Sequence, residues 1–350
     1  MSLLEEKSQN TTPISQLGEF GLIDHLTKNI KLKNENTIKG VGDDAAVIDI
    51  GDKYQLVSTD LLVEGVHFDL GYMPLKHLGY KSVAVNVSDI CAMNGDAKQI
   101  TVGLAMSNRF TVESLDELYA GIYLACEHYG VDLVGGDTTS STAGLMISVT
   151  VLGEVEKENV VYRSGAKIND LVICTGDLGA AYLGLQLLNR EKEMFKENPT
   201  MQPDLTGNDY VLQRQLKPEA GVKYIKILKD LDIIPTSMID ISDGLSSEVL
   251  HLSKSSKVGI TIHEDKIPVD YTTMNLANEF NMNPITCALS GGEDYELLFT
   301  ISQVHYDKFK KDADFTIVGY VTDASEGNNF IAKDGTLHPL TAQGWDALKK

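Results

Sequence analysis

The chain has 350 residues, 43% of them apolar and 23% charged, with 50 acidic against 30 basic side chains and a net charge of −20. Such a length exceeds what one hydrophobic core usually serves and predicts two domains. The acidic balance excludes sequence-independent binding to nucleic acid or anionic membrane surfaces, and it makes any phosphorylated ligand a puzzle unless divalent cations intervene.

Residues 1–13 read as a flexible arm. Met1 to Asn10 is polar rather than signal-like, and no apolar run approaches membrane-spanning length, which predicts a cytoplasmic protein. From Ile14 to Ile30, Leu17, Phe20, Ile23 and Leu26 recur at helical spacing and predict an amphipathic helix. Gly40-Val41-Gly42-Asp43-Asp44 then sets two adjacent carboxylates in a glycine-rich turn, with no neighbouring basic side chain read as their partner. Two like charges there cost free energy unless a cation is present, so a solvated turn and a metal site are both open.

Tyr54 to Asp60 reads as a β-run ending in Ser58, Thr59 and Asp60, and His67 follows closely in Gly65-Val66-His67-Phe68. Lys76 to Met93 predicts a helix on its length, with Asn86 and Asp89 three apart on one face. Gln99 to Met106 reads as a strand; Thr111 and Gly130 are the expected N-cap and stop of the next helix. In Gly135-Gly136-Asp137 two glycines permit close approach of a ligand to the backbone, with a carboxylate directly after them. A strand over Leu145 to Leu152 closes a first domain, 14–154, and 155–350 forms the second.

Val155 to Asn169 reads as a linker carrying Arg163, either a surface arginine or a phosphate or base contact. The strand Leu171 to Cys174 leads through Gly176 and Gly179 into a helix reaching about Asn189, and Glu191 to Asp209 reads as a polar surface excursion. Met238 to Gly244 places Asp240, Ser242 and Asp243 at the end of an apolar run, ahead of a helix beginning near Leu245. Leu289 to Phe299 sets a double glycine and Glu293-Asp294-Tyr295-Glu296 before a strand, Phe315 to Val321 is a further strand, and Trp345 sits near the C-terminus. Cys91, Cys126, Cys174 and Cys287 lack paired spacing, which predicts buried thiols and no zinc site.

Asp43, Asp44, Asp60, Asp89, Asp137, Asp240 and Asp243 share one pattern, an apolar or glycine run ending in a carboxylate with no basic partner nearby in sequence. Oxygen-only donors of this kind suit Mg²⁺. Several Mg²⁺ ions would also let an acidic protein hold a polyphosphate, so the pattern points to Mg-nucleotide chemistry with phosphoryl transfer as its simplest outcome. The chain has no Gly-x4-Gly-Lys-Ser/Thr loop, no kinase catalytic-loop pattern and no dinucleotide fingerprint.

The segments Gly42 to Ala46, Ser58 to Asp60, Gly65 to Phe68, Ala84 to Asp89, Gly135 to Thr139, Arg163 to Ala166, Asp240 to Gly244 and Leu289 to Glu296 occur in an order that resembles the thiamine-monophosphate kinase family, within the aminoimidazole ribonucleotide synthetase superfamily. The resemblance spans roughly residues 14–348. It implies a two-domain α/β (α+β) fold, with an N-terminal Mg-ATP-binding and dimerisation domain whose sheet pairs across a homodimer and a C-terminal α/β domain over the site. It implies ATP-dependent phosphorylation of thiamine phosphate to thiamine diphosphate by in-line transfer, with ATP as co-substrate, several Mg²⁺ ions and no covalent nucleophile. Position by position it implies Asp44, Ser58, Thr59, Asp60, Asp89, Asp137, Asp240 and Asp243 as metal ligands. Gly136, Asp137, Arg163 and Ser242 are implied as ATP contacts, and His67, Glu293 and Trp345 as contacts to thiamine phosphate. Asp43 is expected only to shape its turn. Two departures stand out: the 191–209 excursion, and Gly221 where the family turn commonly ends in Arg. The rival readings are another ATP-using enzyme of the superfamily, or a non-catalytic, metal-dependent nucleotide binder.

Overall fold

The computed structural model describes residues 12–310 and 314–342. The first half builds α1 (Gly18–Thr27), β1 (Thr37–Lys39), β2 (Ala46–Asp49), β3 (Lys53–Val63), α2 (Leu75–Ala92), β4 (Asp96–Met106), α3 (Val112–Tyr129), β5 (Asp132–Ser140) and β6 (Met146–Glu156). The second builds β7 (Leu171–Thr175), α4 (Ala180–Glu197), α5 (Asp209–Leu216), α6 (Val222–Asp230), β8 (Ser237–Ile241), α7 (Leu245–Ser256), β9 (Gly259–His263), α8 (Tyr271–Glu279), α9 (Pro284–Ser290), β10 (Glu296–Ile301), α10 (Tyr306–Phe309), β11 (Phe315–Thr322), β12 (Asn329–Ile331) and β13 (Leu337–Pro339).

Two sheets result. The first has six strands in the order β1-β2-β3-β6-β4-β5, antiparallel except where β5 runs parallel to β4. The second has seven in the order β13-β12-β9-β11-β7-β10-β8, antiparallel except for β12 beside β9. Alternation fixes the first sheet's buried face: along β6, Ile147, Val149, Val151 and Val155 are buried while their neighbours are half-exposed.

Helix α2 lies at the junction of the halves and is buried nearly throughout, from Leu78 to Ala92 with Asp89 half-buried. Its Val83, Val87 and Ile90 share one apolar core with Leu56 and Ile147 of the first sheet and Leu297, Phe299 and Phe315 of the second. Helix α3 crosses it backbone to backbone. A Cβ on Gly79 would stand 2.0 Å from the Leu118 carbonyl oxygen, and one on Gly121 would stand 1.9 Å from that of Lys76, so the crossing requires glycine at both points. The far side of the second sheet has its own core around Ile239, Leu252, Ile260 and Val318.

Local signals behave as expected at α3, where Thr111 caps the first turn and Gly130 ends the helix in the left-handed region at φ 66°. The 191–209 excursion differs. Helix α4 continues to Glu197, because the run of Glu and Lys after Asn189 sustains a helix. Glu191 is buried, pairs with Arg190 at 2.9 Å and accepts the Asp204 amide at 2.9 Å, which folds the chain beyond the helix back onto it. Gly221 lies against β10, and a Cβ there would meet Leu297 Cδ1 at 2.8 Å, so this turn is packed for glycine. No helix among the described residues is long and apolar enough to cross a membrane.

Candidate active site

A cleft of about 1140 Å³ opens between the two halves, bordered by Asp44, Asp60 and Asp89 from the first and by Arg163, Asp240, Asp243 and Glu293 from the second. Three elements deliver its acidic centre. Strand β3 carries Ser58 and Asp60, two apart and therefore on one face. The C-terminal turns of α2 carry Asn86, Ser88 and Asp89, and β8 carries Asp240 one residue before its end. Carboxylate oxygens of Asp44, Asp89 and Asp240 all lie within 4.8 Å of one another.

Hydroxyls and amides fix this centre. Ser58 Oγ donates to Asp89 at 2.5 Å, and Ser88 Oγ donates to Asp240 at 2.6 Å. Adjacent residues of α2 thus serve different walls: one helical step turns Ser88 toward β8 while Asp89 faces β3. The Asn86 side-chain carbonyl accepts the Asp60 amide at 3.1 Å, which locks α2 to the strand. Thr59 borders the cleft, but its side chain is engaged elsewhere. Its hydroxyl donates to the Val149 carbonyl at 3.1 Å and lies 3.0 Å from that of Thr150, on the face of β3 opposite Ser58 and Asp60.

The centre does have a basic partner, contrary to the expectation from sequence neighbours. Arg163 reaches Asp44 with two donors, Nη2 at 2.7 Å and Nε at 3.2 Å, across 119 positions of chain. Lys39 pairs with Asp43 at 3.4 Å, and the Asp43 carboxylate also accepts the Arg163 amide at 2.9 Å. Asp43 therefore shapes the turn and anchors the linker to it. One guanidinium still leaves the centre strongly acidic. Burial, opposed by Arg163, lifts the Asp44 carboxyl to about 7, and burial lifts Asp60 to about 6. Asp240 rises to about 6 by burial, held back by the Ser88 hydroxyl and Arg163. Asp89 rises well above its ordinary value through burial and then through the charges of Asp60, Asp240 and Asp44.

Ser242 and Asp243 border the cleft directly after β8. The Asp243 amide donates at 2.9 Å to Glu248, a fully buried acid of α7 whose carboxyl burial pushes up. The Ser242 carbonyl accepts the Glu293 amide at 2.7 Å, and Glu293 adopts φ 70°, so the loop after Gly291-Gly292 is pinned beside the acidic centre. His67 borders the same cleft, and its Nδ1 accepts the Val63 amide at 3.0 Å. Burial lowers its pKa, which leaves a neutral ring with the proton on Nε2.

Two sequence candidates stand elsewhere. Gly136 and Asp137 lie on β5, the open edge of the six-stranded sheet, beside a separate pocket of about 440 Å³. Gly136 has a packing reason of its own, since a Cβ there would come within 1.9 Å of the Val102 carbonyl oxygen on β4. Trp345 lies outside the described residues. Sequence reasoning gave no role to Ser88, Glu248 or Lys81. Of these only Lys81 left a signal, an ammonium placed directly before the apolar and hydroxylic run Ser82-Val83-Ala84-Val85.

Comparison with known proteins agrees with this geometry. Residues 42–155 match the family described as AIR synthase related protein, N-terminal domain. The thiamine-monophosphate kinase of Aquifex aeolicus is 35% identical over 332 residues, covering 95% of this chain and 98% of that protein. That of Bacillus subtilis is 34% identical over 339 residues, covering 95% and 100%. A solved structure of AaThiL complexed with AMPPCP and TMP matches with TM-score 0.81 and 33% identity, over 96% of this chain and 99% of that one. The two-sheet α/β architecture, the acids gathered between its halves and relatives matched along nearly their whole length agree, and the chain belongs to the thiamine-monophosphate kinase family.

Proposed function

We propose that this protein transfers the γ-phosphoryl group of ATP to thiamine phosphate, giving thiamine diphosphate and ADP. The observation that carries the reading is the meeting of Asp44, Asp89 and Asp240, from three distant segments, in a cleft bordered by both halves of the chain. Their donor chemistry fits Mg²⁺. Carboxylate and hydroxyl oxygens crowd together with more negative charge than Arg163 offsets, and such a set favours a hard divalent cation. Asp44, Asp60, Asp89, Asp240 and Asp243 would hold the ions, with Ser58 orienting Asp89; bound Mg²⁺ would neutralise the phosphate oxygens of the two anionic substrates.

The chain's own residues position the reactants. An oxygen of the acceptor phosphate, already ionised near neutral pH, bonds to the γ-phosphorus as the bridging P–O bond breaks and ADP departs with the electron pair. No side-chain nucleophile is needed. His67, neutral and fixed through Nδ1, offers its Nε2 proton to the acceptor, and Glu293 holds it from the facing loop. Arg163, steered by Asp44, contributes positive charge beside the nucleotide phosphates.

The protein acts as a homodimer in this reading. Val134 to Ser140 on β5 are all exposed, and a long open strand edge is stable only when covered. A second copy seated there would give Gly136 and Asp137 a neighbouring cleft to serve. Light scattering on Val134→Glu is expected to halve the mass of the wild-type particle, with activity falling alongside it. The function itself is tested by incubating the protein with ATP, Mg²⁺ and thiamine phosphate. ADP release above the no-acceptor control is expected, and its absence alongside tight ATP binding would replace the kinase reading with that of a nucleotide binder.

A further inference from the structure

Lys81 is 1% exposed in the middle of α2, among the apolar side chains of the central core. An ammonium there is strongly unfavourable unless its donors are engaged. It has two partners: Glu293 Oε1 at 2.8 Å and the Gln215 main-chain carbonyl at the end of α5 at 3.1 Å. Gln215, itself buried, donates its side-chain Nε2 to the other Glu293 oxygen at 2.8 Å. The Glu293 carboxylate is therefore gripped at both oxygens from the core side while its side chain remains 25% exposed and borders the cleft.

The backbone shows the same grip. Glu293 holds a left-handed φ of 70°, which a non-glycine residue adopts only when its surroundings impose it, and its amide is tied to Ser242. A structural ion pair would be buried at both ends. Here the lysine is hidden and the glutamate is presented to the cleft that His67 also borders. We infer that Lys81 is a positioning residue: acting with Gln215 from the far side of α2, it fixes the Glu293 carboxylate where the acceptor substrate binds, and so sets acceptor affinity rather than ATP affinity.

This inference rests on the kinase reading, and the wild-type assay separates the two. With no ADP release from wild-type protein, the kinase reading fails first. With wild-type turnover in place, Lys81→Met keeps the buried stem and removes the charge. The expected result is a roughly ten- to hundred-fold rise in KM for thiamine phosphate with KM for ATP within about twofold. An equal rise in both constants, or a fall in kcat alone, would overturn it. The double variant K81M/E293Q removes both charges and stays informative where the single variant fails to fold. Compared with E293Q alone it is expected to show the same acceptor KM, because Lys81 acts through that carboxylate; a further tenfold loss in the double variant would show that it does not.

Discussion

Two groups of acids in this molecule look alike in sequence and behave differently in space. Asp177, Asp294 and Glu296 surround Arg214, which donates to Glu296 at 2.6 Å and to the Asp177 carbonyl at 2.9 Å. Thr175 donates to the other Glu296 oxygen at 2.6 Å, Asp294 accepts the Gly179 amide at 2.7 Å at the start of α4, and Tyr210 donates to Asp177. Each acid there is tied to a strand, a helix start or a guanidinium, so the cluster staples β7, β10, α4 and α5. Asp44, Asp60, Asp89 and Asp240 instead share one arginine and two serine hydroxyls. Most oxygens of the first group are answered within the chain, Asp177 Oδ1 being the exception. The second is short of positive charge, and the proposed binding of metal and phosphate rests on that shortage.

The sharpest way to break this contrast is to remove one acid from the second group. Asp89→Asn and Asp240→Asn are each expected to lower turnover by about 10²–10³-fold or more, while the thermal midpoint without divalent ions holds or rises because repulsion is relieved. ADP release and calorimetry check the pair, and unchanged turnover would mean that the ligands are misassigned. Arg214→Met tests the first group and should do the reverse. Leaving buried carboxylates without their guanidinium should cost about 3–5 kcal/mol in urea unfolding, with acceptor KM changing less than it does in Lys81→Met.

A gentler test uses pH. Asp44, Asp60 and Asp240 have folded-state pKa values of about 7, 6 and 6 against an ordinary 3.8, so between about pH 4 and pH 7 the folded chain binds more protons than the unfolded one. Their contribution to stability is therefore fully present below about pH 4 and is lost as pH rises through 6 to 7. Metal-free protein should lose stability over that window, on the order of 1 kcal/mol per pH unit for each such carboxyl, seen as a falling thermal midpoint, and the slope should flatten in Asp240→Asn or with excess Mg²⁺. The smallest effect is expected for Ser88→Ala, which removes one hydroxyl from Asp240 and should slow turnover roughly tenfold with stability nearly unchanged.

Much of the fold was legible along the chain because helices and strands arise from contacts a few residues apart. The span of α2, the Thr111 cap and Gly130 stop of α3, and the strand before Asp240 all follow from periodicity and capping. Helix α4 runs past Asn189 to Glu197 because the polar residues there have helical propensity. Gly136 also meets a constraint that sequence spacing does not reveal, the Val102 carbonyl of a neighbouring strand.

The sequence by itself determined an acidic chain with carboxylate-bearing motifs in the order of one family. Tertiary structure decided which acids are answered and which are left in excess. Arg163 meets Asp44 across 119 positions and Lys81 meets Glu293 across the body of α2. Coulomb energy depends on distance through space and on burial, and neither can be read from separation along the chain.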